Sequence, residues 1–399
     1  MLRRYDCPAA VLFAARMSTL DLAMGTGEAS VAGRPRFDAL SATDAYLWGL
    51  RDQRSMIDAL ADARAHVKAL RRPPEQLTFW TIIQASDQDP GERILALARG
   101  VTIEHRNLGS NSLLAVETGD ADPFLVSVWP QPDGAVHLVA TVPASDGRWK
   151  RIERWVMNAS PGLTACYLNE GDFLAIGEAL SEFGTVEVGK LTWRQGDQSH
   201  AVGYSETKPT LYEAVSRDVP STGQVRTALL RAGDLSVHLR RLAGATLYAG
   251  SLKAFEETVL RRLERAARER LALLRNRARS GTRPVRPLRV KLREPLLRTP
   301  EDTGIVIDIL RDEPHLAVAV VHRNPYLHLA VSDYEDGSNF DVFVTDPSEV
   351  VVHPGFTASV GSLNRVLQRL SENLPSEEVG DRADRTEITV EDLLTPIGS

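Results

Sequence analysis

The sequence predicts an α+β fold: two mainly antiparallel, sheet-containing units joined by a long basic amphipathic helix. Three observations carry that expectation. Runs of β-branched and aromatic residues, mixed with shorter helical patterns, lie on both sides of residue 250. Between them, residues 251–278 keep one apolar stripe at three-to-four spacing: Leu252, Phe255, Val259, Leu263, Ala266, Ala267, Leu271 and Leu274. The same stretch opens a cationic segment. Residues 261–298 hold 14 Lys/Arg against Glu264, Glu269 and Glu294, in a 399-residue chain whose net charge is −6.

Composition sets the frame for those elements. With 43% hydrophobic and 25% charged residues, the chain sits in the ordinary range for a folded protein with a large core. Of 47 basic residues only six are Lys, which reads as a GC-rich, bacterial coding bias rather than selection for bidentate contacts. Cys7 and Cys166 make no disulfide framework and no metal spacing. No apolar run approaches the ~20 residues of a membrane span. A cytoplasmic protein with no membrane partner is expected.

In chain order, residues 1–40 read as a flexible Gly/Ala/Ser-rich segment; Gly25-Thr26-Gly27 lacks the Gly-Lys-Ser/Thr ending of a phosphate loop. Residues 41–75 read as one helix, from Ala42 to Leu70, stopped by Pro73 and Pro74. Residues 76–200 read as an α+β domain. Its strands are at 77–85, 112–117, 124–129, 135–142, 163–168 and 185–193, with helices at 91–97, 148–158 and 170–180. Asp133-Gly134 marks a hairpin, because glycine accepts the positive φ the turn needs. Residues 201–298 form a middle segment: a short helix at 210–216, a hairpin across Gly233-Asp234 (favoured) or a helix pair at 224–242, the long helix, and a basic arm. In that arm Leu288 to Arg293 alternates, giving one apolar and one cationic strand face. Residues 299–375 read as a helix start at Thr299-Pro300, a four-stranded meander from 315 to 352 and a helix at 359–370. Residues 376–399, net −5, read as an acidic mobile tail.

The basic segment gives the leading functional expectation. Up to Glu269, pairs such as Glu264–Arg268 explain it as a solvated helix face. From Arg270 to Arg293 no acid intervenes between Arg270, Arg275, Arg277, Arg279, Arg283, Arg286, Arg289, Lys291 and Arg293. Such a run repels itself unless an external polyanion, or acidic surface elsewhere on the fold (the acidic tail included) or on another subunit, offsets it. The first alternative is a non-catalytic nucleic-acid-binding protein acting in a larger assembly, with backbone contacts through that run. Arg148, Trp149 and Arg151 lean the same way, since an indole can stack on an unpaired base; the plain alternative is an amphipathic helix with Trp149, Ile152 and Val156 in the core. The second reading is a structural or scaffolding subunit whose long helix packs on an acidic protein partner or self-associates into a homo-oligomer. The third is an enzyme with dispersed residues, which a carboxylate-lined pocket with a raised pKa would support.

No catalytic residue, cofactor or metal site is expected. His315, His322, His328 and Asp333 have no ligand spacing, and a hairpin about Asn324-Pro325 is expected to turn His322 and His328 to opposite faces. Glu187-Val188-Gly189-Lys190 has one residue too many for a nuclease Glu-x-Lys, so a regular strand puts the two charges on opposite faces. Asp333–Gly337 is expected to be a turn, and Cys166 a small core residue.

Overall fold

The computed structural model describes residues 39–98, 100–119, 121–157, 162–196, 198–205, 208–275, 287–355 and 357–381. The flexible segment expected at 1–40 lies almost wholly outside them, as do Arg277, Arg279, Arg283 and Arg286. The architecture is α+β with two antiparallel sheets, as expected.

Two helices stand where one was expected: α1 (Ala42–Trp48) and α2 (Met56–Ala69). Gly49 ends the first, and Ser55 caps the second by accepting from the Asp58 N–H at 3.1 Å. The apolar spacing runs on across residues 49–55 by coincidence and hides the break. Next come β1 (Leu77–Gln84), α3 (Pro90–Leu97), β2 (Thr102–Leu108), β3 (Asn111–Glu117), β4 (Phe124–Pro130), β5 (Ala135–Ala140), α4 (Gly147–Met157) and β6 (Leu163–Ala165). Then follow α5 (Glu170–Leu180), β7 (Val186–Gln195), β8 (Gln198–Gly203), α6 (Leu211–Asp218), β9 (Gln224–Ala232), β10 (Leu235–Arg240) and β11 (Gly244–Ala249). All eleven strands form one sheet, ordered β2-β3-β4-β5-β1-β11-β10-β9-β7-β8, with β6 also on β1. The boundary drawn at residue 200 falls inside this sheet.

The long helix begins as α7 (Leu252–Phe255), passes through a π-helical turn at Glu256–Leu260 and continues as α8 (Arg261–Arg275). Its stripe is core, not a free face. Val259, Leu263, Ala266, Ala267 and Leu271 lie in the first sheet's core, while Leu274 lies in the second's. The second sheet is built from β12 (Leu288–Leu292), α9 (Gly304–Arg311), β13 (Leu316–His322), β14 (Leu327–Asp333), β15 (Ser338–Asp346), β16 (Glu349–Pro354), α10 (Val360–Asn373) and β17 (Ser376–Asp381). Its order is β13-β14-β15-β16-β12-β17. The helix expected at Thr299 starts later, after a turn in which the Asp302 N–H donates to Thr299 Oγ1 at 3.2 Å.

β17 corrects the expectation of a mobile tail from residue 376. The strand pairs with β12, Val379 opposite Val290, and Val379 is buried. The Lys291 ammonium lies 2.9 Å from the Glu377 carboxylate, so the acidic segment meets the cationic face of the arm. The remainder of the tail, 382–399, lies outside the described residues. Truncating Val379 to Ala removes two buried methyl groups, and a loss of about 1–2 kcal/mol in urea-unfolding stability is expected. An unchanged midpoint would mean that β17 is not held in solution.

The two sheets share a plan. β1-α3-β2-β3-β4-β5-α4-β6 and β12-α9-β13-β14-β15-β16-α10-β17 have the same element order. In each, the first strand sits beside the fifth, and the last strand pairs with the first. The difference lies on the free side of the first strand. β17 takes most of β12, whereas β1 is divided between β11 over Leu77–Trp80 and β6 over Ile82–Gln84. The sequence showed no repeat, because the two copies share pairing order rather than residues.

Candidate functional site

The basic segment is described first at α8. Its exposed face carries Arg261, Arg265, Arg268 and Arg275. Arg265 is 3.5 Å from Glu269 and Arg268 is 2.7 Å from Asp133, both in solvent. Arg270, expected on a solvent-facing run, points the other way and is buried. Its Nη2 donates to Asp172 Oδ2 at 3.0 Å, and its guanidinium lies 5.0 Å from the centre of the Tyr167 ring. Burial alone would weaken its charge. Asp172, with smaller contributions from Tyr167, Cys166 and Glu269, outweighs that and raises its pKa above the ordinary value.

The arm is also paired within the chain. Arg289 is 3.9 Å from Glu349 on the neighbouring strand, Lys291 meets Glu377, and Arg293 forms an ion pair with Glu170. Glu170 and Asp172 both lie in the first turn of α5, where the helix dipole favours carboxylates. One acidic helix start therefore holds Arg270 from α8 and Arg293 from the strand arm. Sequence reasoning missed this because the partners lie about a hundred residues upstream of the cations they neutralise.

Helix α4 takes the plain alternative. Trp149 is fully buried, so its ring offers no stacking surface, and its Nε1 donates to Glu153 Oε1 at 2.9 Å. Arg148 folds back on Asp146, with Nη2 to Oδ2 at 2.8 Å, and Arg151 is half-buried. These residues are not gathered onto one face with the arm.

Two polar clusters were not foreseen. In the first, Asp44 of α1 is buried and accepts the Leu125 N–H at 3.2 Å and the Thr141 hydroxyl at 3.0 Å. It lines a cavity of about 340 Å³ with Glu75, Asp122 and Arg148. Burial pushes the Asp44 carboxyl up to about 7, and nearby Glu75 adds to the effect. This meets the carboxylate-pocket condition set for an enzyme, but the lining holds no histidine, cysteine or metal-ligand trio. Asp44 acts as a tie between α1 and the β4–β5 pair. In the second cluster, buried His137 sits between Thr81 Oγ1 at 3.0 Å and Glu264 Oε1 at 2.8 Å. A carboxylate only accepts, so Nε2 carries a proton toward Glu264. The order resembles a hydroxyl–imidazole–carboxylate relay, but Thr81 is fully buried and no substrate reaches it.

Two strand-face expectations need correction, both because of β-bulges. The register shifts between Val188 and Lys190, so Glu187 and Lys190 oppose Arg231 and Leu229 and share a face. Glu187 is nonetheless engaged by Lys208 at 2.8 Å. A second shift makes His322 the direct partner of His328, not of Leu327. His328 bonds Asp341 at 2.7 Å and stacks on Phe343. Among the described residues no group of three or more His, Cys, Asp or Glu is placed to hold a metal. Asp333 ends in a turn with Gly337 at φ +75°, its carboxylate held by Arg365 at 2.6 Å. Burial pushes the Cys166 thiol up to about 12, which removes it as a nucleophile.

An apolar strand edge lies open to solvent among the described residues. β13 is an edge of the second sheet, and Ala317, Ala319, Val320 and Val321 along it are exposed. No family of known proteins matches the chain, and comparison with curated proteins finds no significant match. No helix among the described residues is long and apolar enough to cross a membrane.

Proposed function

We propose that this chain is a non-catalytic structural subunit that works by association with protein, and that its basic segment is an internal clasp. The observation that supports this reading is the pairing of Arg270, Arg289, Lys291 and Arg293 with Asp172, Glu349, Glu377 and Glu170. Of the nine cations expected to track a polyanion, five are described, and these four already have carboxylate partners. Among the described residues, this charge ties α8 and the β12 arm to α5 and pairs the arm with β16 and β17. The long helix is not the docking element either, since its apolar stripe is in the core. Among the described residues, the apolar β13 edge is an open surface that can serve this role.

A second reading, polyanion binding, rests on the exposed α8 row Arg261, Arg265, Arg268 and Arg275. Surface pairs such as Arg268–Asp133 are worth roughly 0–1 kcal/mol and could exchange for phosphate. The two readings separate on a salt titration with single- and double-stranded oligonucleotides. The structural reading expects no measurable binding at ~50 mM salt and a purified sample without nucleic-acid absorbance. Four phosphate contacts would instead give a slope of log K against log salt of roughly −3 to −4. Loss of that slope on reversing Arg261, Arg265, Arg268 and Arg275 to Glu would establish the second reading.

A further inference from the structure

The duplicated plan provides an internal control for strand edges. β2 and β13 hold the same position, at the far edge of their copies of the plan. β2 reads Thr-Ile-Glu-His-Arg-Asn-Leu, with Glu104 and Arg106 in the strand; charges of this kind prevent an edge from pairing with another chain. β13 reads Leu-Ala-Val-Ala-Val-Val-His and has no Lys, Arg, Asp, Glu or Pro. Its regular part, from Leu316 to Val320, runs free of the bulge that follows.

The surroundings extend that edge. Leu316 and Val318 point into the second core, and Val320 continues their row but is 39% exposed. Ile305, on the helix α9 that covers this side, is also exposed. Tyr334 stands at the start of the strand, its hydroxyl donating to Pro314 O, and is 64% exposed. Tyr326 lies at the far end against His322, their ring centres 4.6 Å apart. An unpaired backbone edge and a row of exposed apolar side chains thus coincide.

We infer that β13 pairs antiparallel with β13 of a second copy of this chain, joining two six-stranded sheets into one across a two-fold axis near Val318. This rests on the structural-subunit reading and names its partner. A two-fold axis at Val318 sets Leu316 opposite Val320 and Ala317 opposite Ala319, so no like charges meet. It also lays Leu316 of one copy beside the half-exposed Val320 of the other, extending both cores under the two α9 helices. The molecule already joins sheets in this way: β1 and β11 pair antiparallel to fuse two strand groups into one sheet.

The test is the mass of the intact chain by light scattering and sedimentation from about 1 to 100 µM. Wild type is expected as a dimer, and Val320→Lys with Val321→Lys as a monomer. Unchanged circular dichroism and melting would show that the variant folds. Should it not fold, Val318→Cys in a Cys7→Ser background serves instead, with a cross-linked dimer expected on mild oxidation. A wild type that is monomeric throughout overturns self-pairing, as does a dimer that survives the lysine pair. If the monomer joins a different protein in native extract and the lysine variant does not, only the choice of partner fails. If it joins none, the structural-subunit reading fails as well.

Discussion

Replacing Arg270 with Ala is expected to cost about 3–5 kcal/mol, the usual result of breaking one side of a buried ion pair. The guanidinium is enclosed among Asp172, Tyr167 and Cys166, and its removal leaves the Asp172 carboxylate facing an empty, poorly hydrated space. Asp172 also completes the capping box of α5, accepting from the Asn169 N–H at 2.8 Å. The damage should therefore spread to that helix start and to Arg293, which pairs with Glu170 beside it. The measurement is urea unfolding at neutral pH. Arg293→Ala, at the more exposed end of the same clasp, is expected to cost less. If the two variants cost the same small amount, the clasp is not what holds the sheets together.

Asp44 gives the other large effect, and it depends on pH. In the folded chain this carboxyl titrates at about 7, against 3.8 in the ordinary state, with burial as the main cause. Between about pH 4 and 7 the native state keeps a proton that the unfolded chain gives up, so stability falls as pH rises through that window. Above 7 both states are ionised and the penalty is constant. At 1.36 kcal/mol per unit, the full change is about 4 kcal/mol. An asparagine in this place would still accept from Leu125 N–H and Thr141 Oγ1 without carrying charge, so Asp44→Asn should match wild type near pH 4 and exceed it near pH 8. Glu75, Asp122 and Arg148 share the cavity and are unchanged in that variant. Parallel stability-versus-pH curves would show that Asp44 does not control the slope.

These two residues also mark where the sequence stopped being informative. Local rules found what they govern. The alternation from Leu288 to Leu292 appears as a strand with its apolar positions buried, and Ser359 and Thr210 cap the helices whose starts they were expected to mark. The stripe of the long helix faces the core residue by residue. Strands β2, β8 and β11 escaped because two are polar edges and the third, Gly244–Ala249, carries a glycine start and little alternation. An edge strand draws its stability from backbone pairing with a neighbour, and nothing in its own side chains need reveal it. Charge pairing was hidden for a related reason: Arg270 and Arg293 have no acid between them along the run, but meet Asp172 and Glu170 in space. The nuclease and histidine arguments assumed unbroken strands, and a single inserted residue at each bulge reverses which side chains are neighbours.

The junction of β1 with β11 has a consequence for biosynthesis. Leu77 pairs with Leu247, so half of the first strand's outer edge waits for a segment made 170 positions later. The α5 acids also wait for a segment made later, Arg293 following Glu170 by 123 positions. The nascent chain thus carries a central strand with half of one edge open while those 170 positions are made, and such intermediates are prone to aggregate. Chaperone holding over that interval should raise the yield of native protein.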